Sequence, residues 1–145
     1  MTSSKPDFES FLRKTFQVPL DAIAGFLARL GITANHVTLF GLIGTASAAY
    51  LIARGWLLAG GLTEAVMAPL DAVDGALARK SGAVSKFGAF LDSVVDRYDE
   101  MLLLAGVLYY FQAQAYTTGV MVTYAALCGS VLVSYTRARA EGLGF

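Results

Sequence analysis

Residues 71–96 read DAVDGALARKSGAVSKFGAFLDSVVD. Within them lies the frame Asp71-x-x-Asp74-Gly75-x-x-Ala78-Arg79, followed by Gly88-x-x-x-Asp92-x-x-x-Asp96. Four aspartates thus stand in strongly apolar surroundings. Carboxylates at membrane depth are costly and face a polar interior with a task to perform. At about 100° per helical residue, Asp74 lies about 60°, Gly75 about 40° and Ala78 about 20° from Asp71. The first two acids therefore share one stripe with the smallest side chains. Gly88, Asp92 and Asp96 are four apart and climb a second stripe. The connection from Lys80 to Phe87 lets the two helices lie antiparallel with their stripes facing. Carboxylates crowded in this way repel strongly at low dielectric. Divalent cations relieve that repulsion, and all-oxygen ligation favours a hard ion such as Mg²⁺ or Mn²⁺.

The rest of the chain supplies the membrane setting. It has 145 residues, 56% of them hydrophobic and 15% charged, with mean hydropathy +0.57. That composition belongs to a membrane protein. Lys+Arg and Asp+Glu number 11 each, so no basic field points to nucleic acid. The lone Cys128 forms no intrachain disulfide and reads as small filler. The first ten residues, MTSSKPDFES, lack the apolar core of an export signal.

Apolar residues recur three or four apart from Phe8 to Leu30, with Arg13, Lys14, Gln17, Asp21 and Arg29 between them. This is the pattern of a helix lying on a membrane surface. Pro19 is expected to divide it, and Gly31 to stop it. Val37 to Ala53 is uncharged, near the shortest length that spans a bilayer. From Met101 to Thr136 no residue carries a formal charge. A single helix of that length would measure roughly 54 Å, against about 30 Å of hydrocarbon. It must fold back, and Gln112 to Gly119 is the polar place to do so.

The expected fold is all-α, a polytopic membrane helix bundle with an N-terminal interfacial amphipathic helix. Residues 1–32 form the interfacial segment and 33–145 the transmembrane catalytic domain. Its four membrane helices are expected at about 36–54, 57–79, 87–111 and 116–138. With the N-terminus inside, Lys5, Arg13, Lys14, Arg29, Arg79, Lys80, Lys86, Arg137 and Arg139 are cytoplasmic, and only Arg54 lies opposite. Positive-inside bias thus puts the four aspartates towards the cytoplasmic face.

The frame from Asp71 to Asp96 resembles, at every position, the signature of the CDP-alcohol phosphotransferase family. The resemblance runs from about Thr33 to Gly144. Asn35 and Thr38 are similar to the family's entry into its first membrane helix, with Ala34 where proline is common. It implies an integral membrane enzyme that moves a phosphatidyl-type group from CDP-diacylglycerol to a small alcohol, releasing CMP. It implies two metal ions, one held by Asp71, Asp74 and Asp92, the other held or bordered by Asp71, Asp92 and Asp96. Asp96 would also be the general base, and Asp92 and Asp96 the catalytic pair. Ala34, Asn35, Gly75, Ala78, Arg79, Ser85 and Gly88 correspond to positions that border the CDP part of the donor.

Ser134, Arg137 and Arg139 end the last helix with guanidinium groups suited to a phosphate. That string is similar to the branch using inositol phosphate as acceptor, with glycerol phosphate the alternative. The family usually has six membrane helices and forms homodimers in a prokaryotic cell membrane. The sequence therefore reads as a form truncated after the fourth helix, with N-terminus and active site cytoplasmic. A cation- or proton-conducting protein is the reading of another class. Gly75, Ala78, Arg79 and Gly88 weigh against it, because an ion path needs no nucleotide-sized gap beside its acids. His36, the only histidine, gives little support to a histidine metal cluster or a serine triad.

Overall fold

A computed structural model describes residues 8–80, 82 and 85–145, with side chains from Pro19 onward. The apolar pattern of residues 8–18, most of the 81–84 connection and the first seven residues lie outside the described side chains. Every regular element among the described residues is an α-helix. They are α1 (Phe8–Arg29), α2 (Ala34–Ala53), α3 (Leu57–Met67), α4 (Leu70–Lys80), α5 (Lys86–Ala113) and α6 (Thr117–Leu143).

The helix α2 shows why the chain is built for lipid. It buries Val37, Thr38, Gly41, Thr45, Ala48 and Ala49, while Leu39, Phe40, Ile43 and Tyr50 are exposed. Small residues inside and large apolar residues outside is the arrangement of a helix packed by close approach in an apolar solvent. The start of α3 follows the same logic. A Cβ on Gly60 would stand 2.9 Å from the Ala48 carbonyl oxygen, so only glycine lets α3 lie against α2. By length and composition, α2 and α6 qualify as membrane spans. The other two expected spans depart from that test for visible reasons. Residues 57–79 are divided into two short helices, and α5 carries Asp92, Asp96, Arg97, Asp99 and Glu100.

Two expectations about helix continuity are corrected. The helix over 57–79 is interrupted at Ala68–Pro69, and the Pro69 carbonyl accepts from the Ala72 and Val73 amides to start α4. Proline lacks the amide a continuous helix needs and disfavours helical geometry before it. Conversely, α1 runs unbroken through Pro19. That residue is exposed, so the missing amide leaves no apolar core to disturb. Elsewhere the boundaries shift by a few residues, the largest change being at the end of α6, which reaches Leu143.

Helix α1 is held to α4 by an apolar cluster of Ala24, Val37, Val73, Ala76 and Leu77, with Leu20, Leu27, Ile32 and Leu70 against it. The Lys80 ammonium donates to the Asp21 carbonyl oxygen at 3.0 Å. This cluster fixes the face that α4 turns inward. Helix α5 packs along α2, and α6 packs on α5. His36 closes the first turn of α2: the Thr33 amide donates to its Nδ1 at 3.3 Å, and the Thr33 hydroxyl lies 2.9 Å from the same nitrogen.

Candidate metal and phosphate site

The first turn of α2, the second half of α4 and the first turns of α5 meet around a cavity of about 200 Å³. It is lined by Ala34, Asn35, Thr38, Asp74, Gly75, Ala78, Arg79, Ser85, Gly88, Ala89 and Asp92. All seven residues expected beside the CDP moiety are among them. Local structure explains the geometry. Ser85 caps α5, its hydroxyl accepting from the Gly88 amide at 2.9 Å. A Cβ on Gly88 would crowd that hydroxyl at 3.2 Å, and one on Gly75 would approach the Arg79 guanidinium at 3.4 Å. Bare backbone therefore forms two sides of the cavity.

Asp74 is the buried acid of the group, 3% exposed. Its Oδ2 accepts a hydrogen bond of 2.5 Å from the Thr38 hydroxyl on α2. Asp92 lines the same cavity from α5. Asp71, one turn earlier on α4, lines neither cavity described here. It stands in the electrostatic field of Asp96, Asp74, Asp99 and Asp92. The four frame aspartates thus lie within electrostatic reach of one another on α4 and α5, and neither ion pair among the described residues includes one of them.

A second cavity, about 700 Å³, lies between α5 and α6 and includes Asp96, Arg97, Ser134, Arg137 and Glu141 in its lining. Arg97 joins the two walls, donating to Glu100 at 2.6 Å and to the Ser134 hydroxyl at 2.9 Å. Arg137 pairs with Glu141 at 3.1 Å on the surface. Arg139 is exposed and lines neither cavity. Of the three residues expected at an acceptor phosphate, two therefore share a cavity and one stands apart.

Sequence reasoning missed the part of Arg97, although it directly follows Asp96. It also missed Asp99, which shares its surroundings with Glu64 of α3. One carboxylate oxygen of each is buried without a hydrogen-bond partner among the described residues. Glu64 accordingly faces the bundle interior.

Residues 31–142 match the CDP-alcohol phosphatidyltransferase family. The chain belongs to that family. Among curated relatives of this chain is the archaetidylinositol phosphate synthase of Pyrococcus horikoshii. It is 43% identical over 93% of this chain and 69% of the relative. Two solved structures of the phosphatidylinositol phosphate synthase of Mycobacterium tuberculosis share the fold. The form with CDP-DAG bound superposes with a TM-score of 0.81 at 34% identity, covering 86% of this chain and 64% of that one. The form in complex with manganese and citrate gives a TM-score of 0.80 at 33% identity, covering 86% and 61%. The chain thus spans about two thirds of the length of these relatives.

Among the described residues no three His, Cys, Asp or Glu side chains are drawn together closely enough to hold a metal ion. The donor set nevertheless fits a divalent cation. It is made of carboxylate oxygens from α4 and α5, which line one cavity, with an adjoining hydroxyl bonded to one of them and charge repulsion for a cation to relieve.

Proposed function

We propose that this family member transfers a phosphatidyl-type group from a CDP-linked lipid to a small phosphorylated alcohol, inositol phosphate first. One observation carries the reading. Helix α5 bears Asp92 on the wall of the first cavity and Asp96 on the wall of the second. They are four positions apart, an axial rise of about 6 Å. A donor in one cavity and an acceptor in the other would meet across a single helical turn.

In this reading Asp71, Asp74, Asp92 and Asp96 hold two divalent cations. When bound, these supply the positive charge that offsets the diphosphate and the departing CMP. The Ala34–Asn35 turn, Gly75, Ala78, Arg79, Ser85 and Gly88 receive the CDP moiety. Arg137 and Ser134, with Arg139 close in sequence, receive the acceptor phosphate. Asp96 accepts the proton of the attacking acceptor hydroxyl. The acceptor oxygen bonds to the lipid-bearing phosphorus as its bond to the CMP oxygen breaks. The names of the Pyrococcus and Mycobacterium relatives support inositol phosphate over glycerol phosphate.

The distribution of basic residues supports a cytoplasmic active site in a prokaryotic cell membrane, and the family's habit supports a homodimer. The test is CMP release from CDP-diacylglycerol with Mn²⁺, using inositol phosphate, glycerol phosphate and inositol in parallel. Release that depends on inositol phosphate is the expected result. An absence of release with every acceptor, together with no thermal stabilisation by donor and Mn²⁺, would refute the proposal.

A further inference from the structure

From the placement of one hydroxyl, we infer that Thr38 is a positioning residue that sets Asp74 for cation binding. The inference rests on the metal reading just given and adds to it a residue outside the acidic frame. Thr38 and Asp74 are 6% and 3% exposed, on different helices and 36 positions apart in sequence. The Thr38 oxygen has two acceptors within reach, Asp74 Oδ2 at 2.5 Å and the Ala34 carbonyl oxygen at 3.1 Å. A hydroxyl has one proton to give. The carboxylate is both the nearer acceptor and the charged one, and hydrogen bonds to ionised acceptors are about twice as strong as neutral ones.

The Thr38 hydroxyl therefore donates to Asp74. One oxygen is held against α2, and the remaining lone pairs of the carboxylate keep a fixed direction. In water such a bond would contribute little. In this buried position, removing the hydroxyl leaves a carboxylate oxygen without the donor that ties it to α2. Thr38 also lines the cavity beside Ala34 and Asn35 of the same helix. The bond thus registers the nucleotide side of the cavity against the acid side.

The experiment is Mn²⁺ titration of the purified chain in lipid nanodiscs, reading free Mn²⁺ by electron paramagnetic resonance without substrate. Thr38→Val keeps the volume and deletes the hydroxyl. It should raise the half-saturating Mn²⁺ concentration by at least about tenfold, the loss typical when a residue supporting a metal ligand is removed. Thr38→Ser, which restores the hydroxyl, should return it to within about twofold of wild type on that same scale. Thr123→Val deletes an equally buried hydroxyl on α6, bonded at 2.8 Å to its own helix at the Gly119 carbonyl. It should leave the titration unchanged.

Should Thr38→Val fail to fold, Thr38→Ala gives the same reading by deletion alone. Wild-type Mn²⁺ affinity in Thr38→Val or Thr38→Ala, alongside lost affinity in Asp74→Asn, would overturn the inference and leave the metal site standing. Serine failing to restore affinity would overturn it too, by assigning the effect to packing. Unchanged binding in Asp74→Asn would instead bring down the metal reading of that residue, and this inference with it.

Discussion

Gly106 of α5 lies so close to Ala49 of α2 that an added Cβ would stand 2.5 Å from the Ala49 carbonyl oxygen. The obstacle is backbone, which cannot swing aside as a long side chain can. Together with the shared cavity at the starts of α2 and α5, this contact means that the two helices run in the same direction. Helix α4, packed on α1 and α2, runs back to bring Asp74 to the same end. Gly106→Ala is therefore expected to destabilise the bundle by about 1–3 kcal/mol, the usual cost of overpacking. Gly129→Ala on α6 meets nothing within 4 Å. It should be neutral or stabilise by up to about 1 kcal/mol through helix propensity. Melting temperatures of both variants in one detergent check the contrast.

The division of labour along α5 gives a second expectation. Asp96→Asn keeps size and polarity while removing the proposed base, so CMP release should fall by about 10²–10⁴-fold. Donor with Mn²⁺ should still raise the melting temperature, because the first cavity retains Asp74 and Asp92. Asp92→Asn should lose both turnover and protection. If Asp96→Asn loses protection as fully as Asp92→Asn, the two acids do not serve separate cavities.

The acidic frame was legible because helical periodicity alone sets which residues share a face. Asp71 with Asp74, and Asp92 with Asp96, follow from spacing, and so does the stripe of glycine and alanine beside them. What spacing cannot give is the partner across a gap. Thr38 and Asp74 lie on different helices, as do Arg97 and Ser134, and no local pattern announces either bond. Pro69 is a different case. Its disruption of residues 57–79 was written in the sequence, and the single helix expected there took no account of it. The failed break at Pro19 shows the converse: a proline ends a helix only where the missing amide cannot be tolerated.

Arg97 is placed to hold α6 against α5 through Ser134. Its pair with Glu100 is partly exposed, at 43% and 39% of the two side chains, and such pairs contribute about 0–1 kcal/mol. Ser134→Ala removes only the interhelical bond, a net loss of about 0.5–1.5 kcal/mol. Arg97→Ala should therefore cost little more in unfolding than Ser134→Ala. Its larger effect should be on the acceptor, since the second cavity loses one wall's anchor: KM for inositol phosphate rises while KM for CDP-diacylglycerol stays near wild type. Equal increases in both constants would count against separate subsites.

Arg137 and Arg139 looked equivalent in the sequence, and the structure separates them. Arg137 lines the cavity shared with Asp96, whereas Arg139 does not. The bond from Arg137 to Glu141 is exposed, at 83% and 66% of the two side chains. It contributes about 0–1 kcal/mol, so an incoming phosphate displaces Glu141 at small cost. Arg137→Ala should therefore raise KM for inositol phosphate by about 10–100-fold, the equivalent of a hydrogen bond to a charged group. Arg139→Ala should have a smaller effect that fades with added salt, as for an exposed charge acting at a distance. Glu141→Gln should lower KM slightly by releasing Arg137. Steady-state kinetics at two salt concentrations test the ranking. A larger loss in Arg139→Ala would move the acceptor phosphate out of the cavity between α5 and α6.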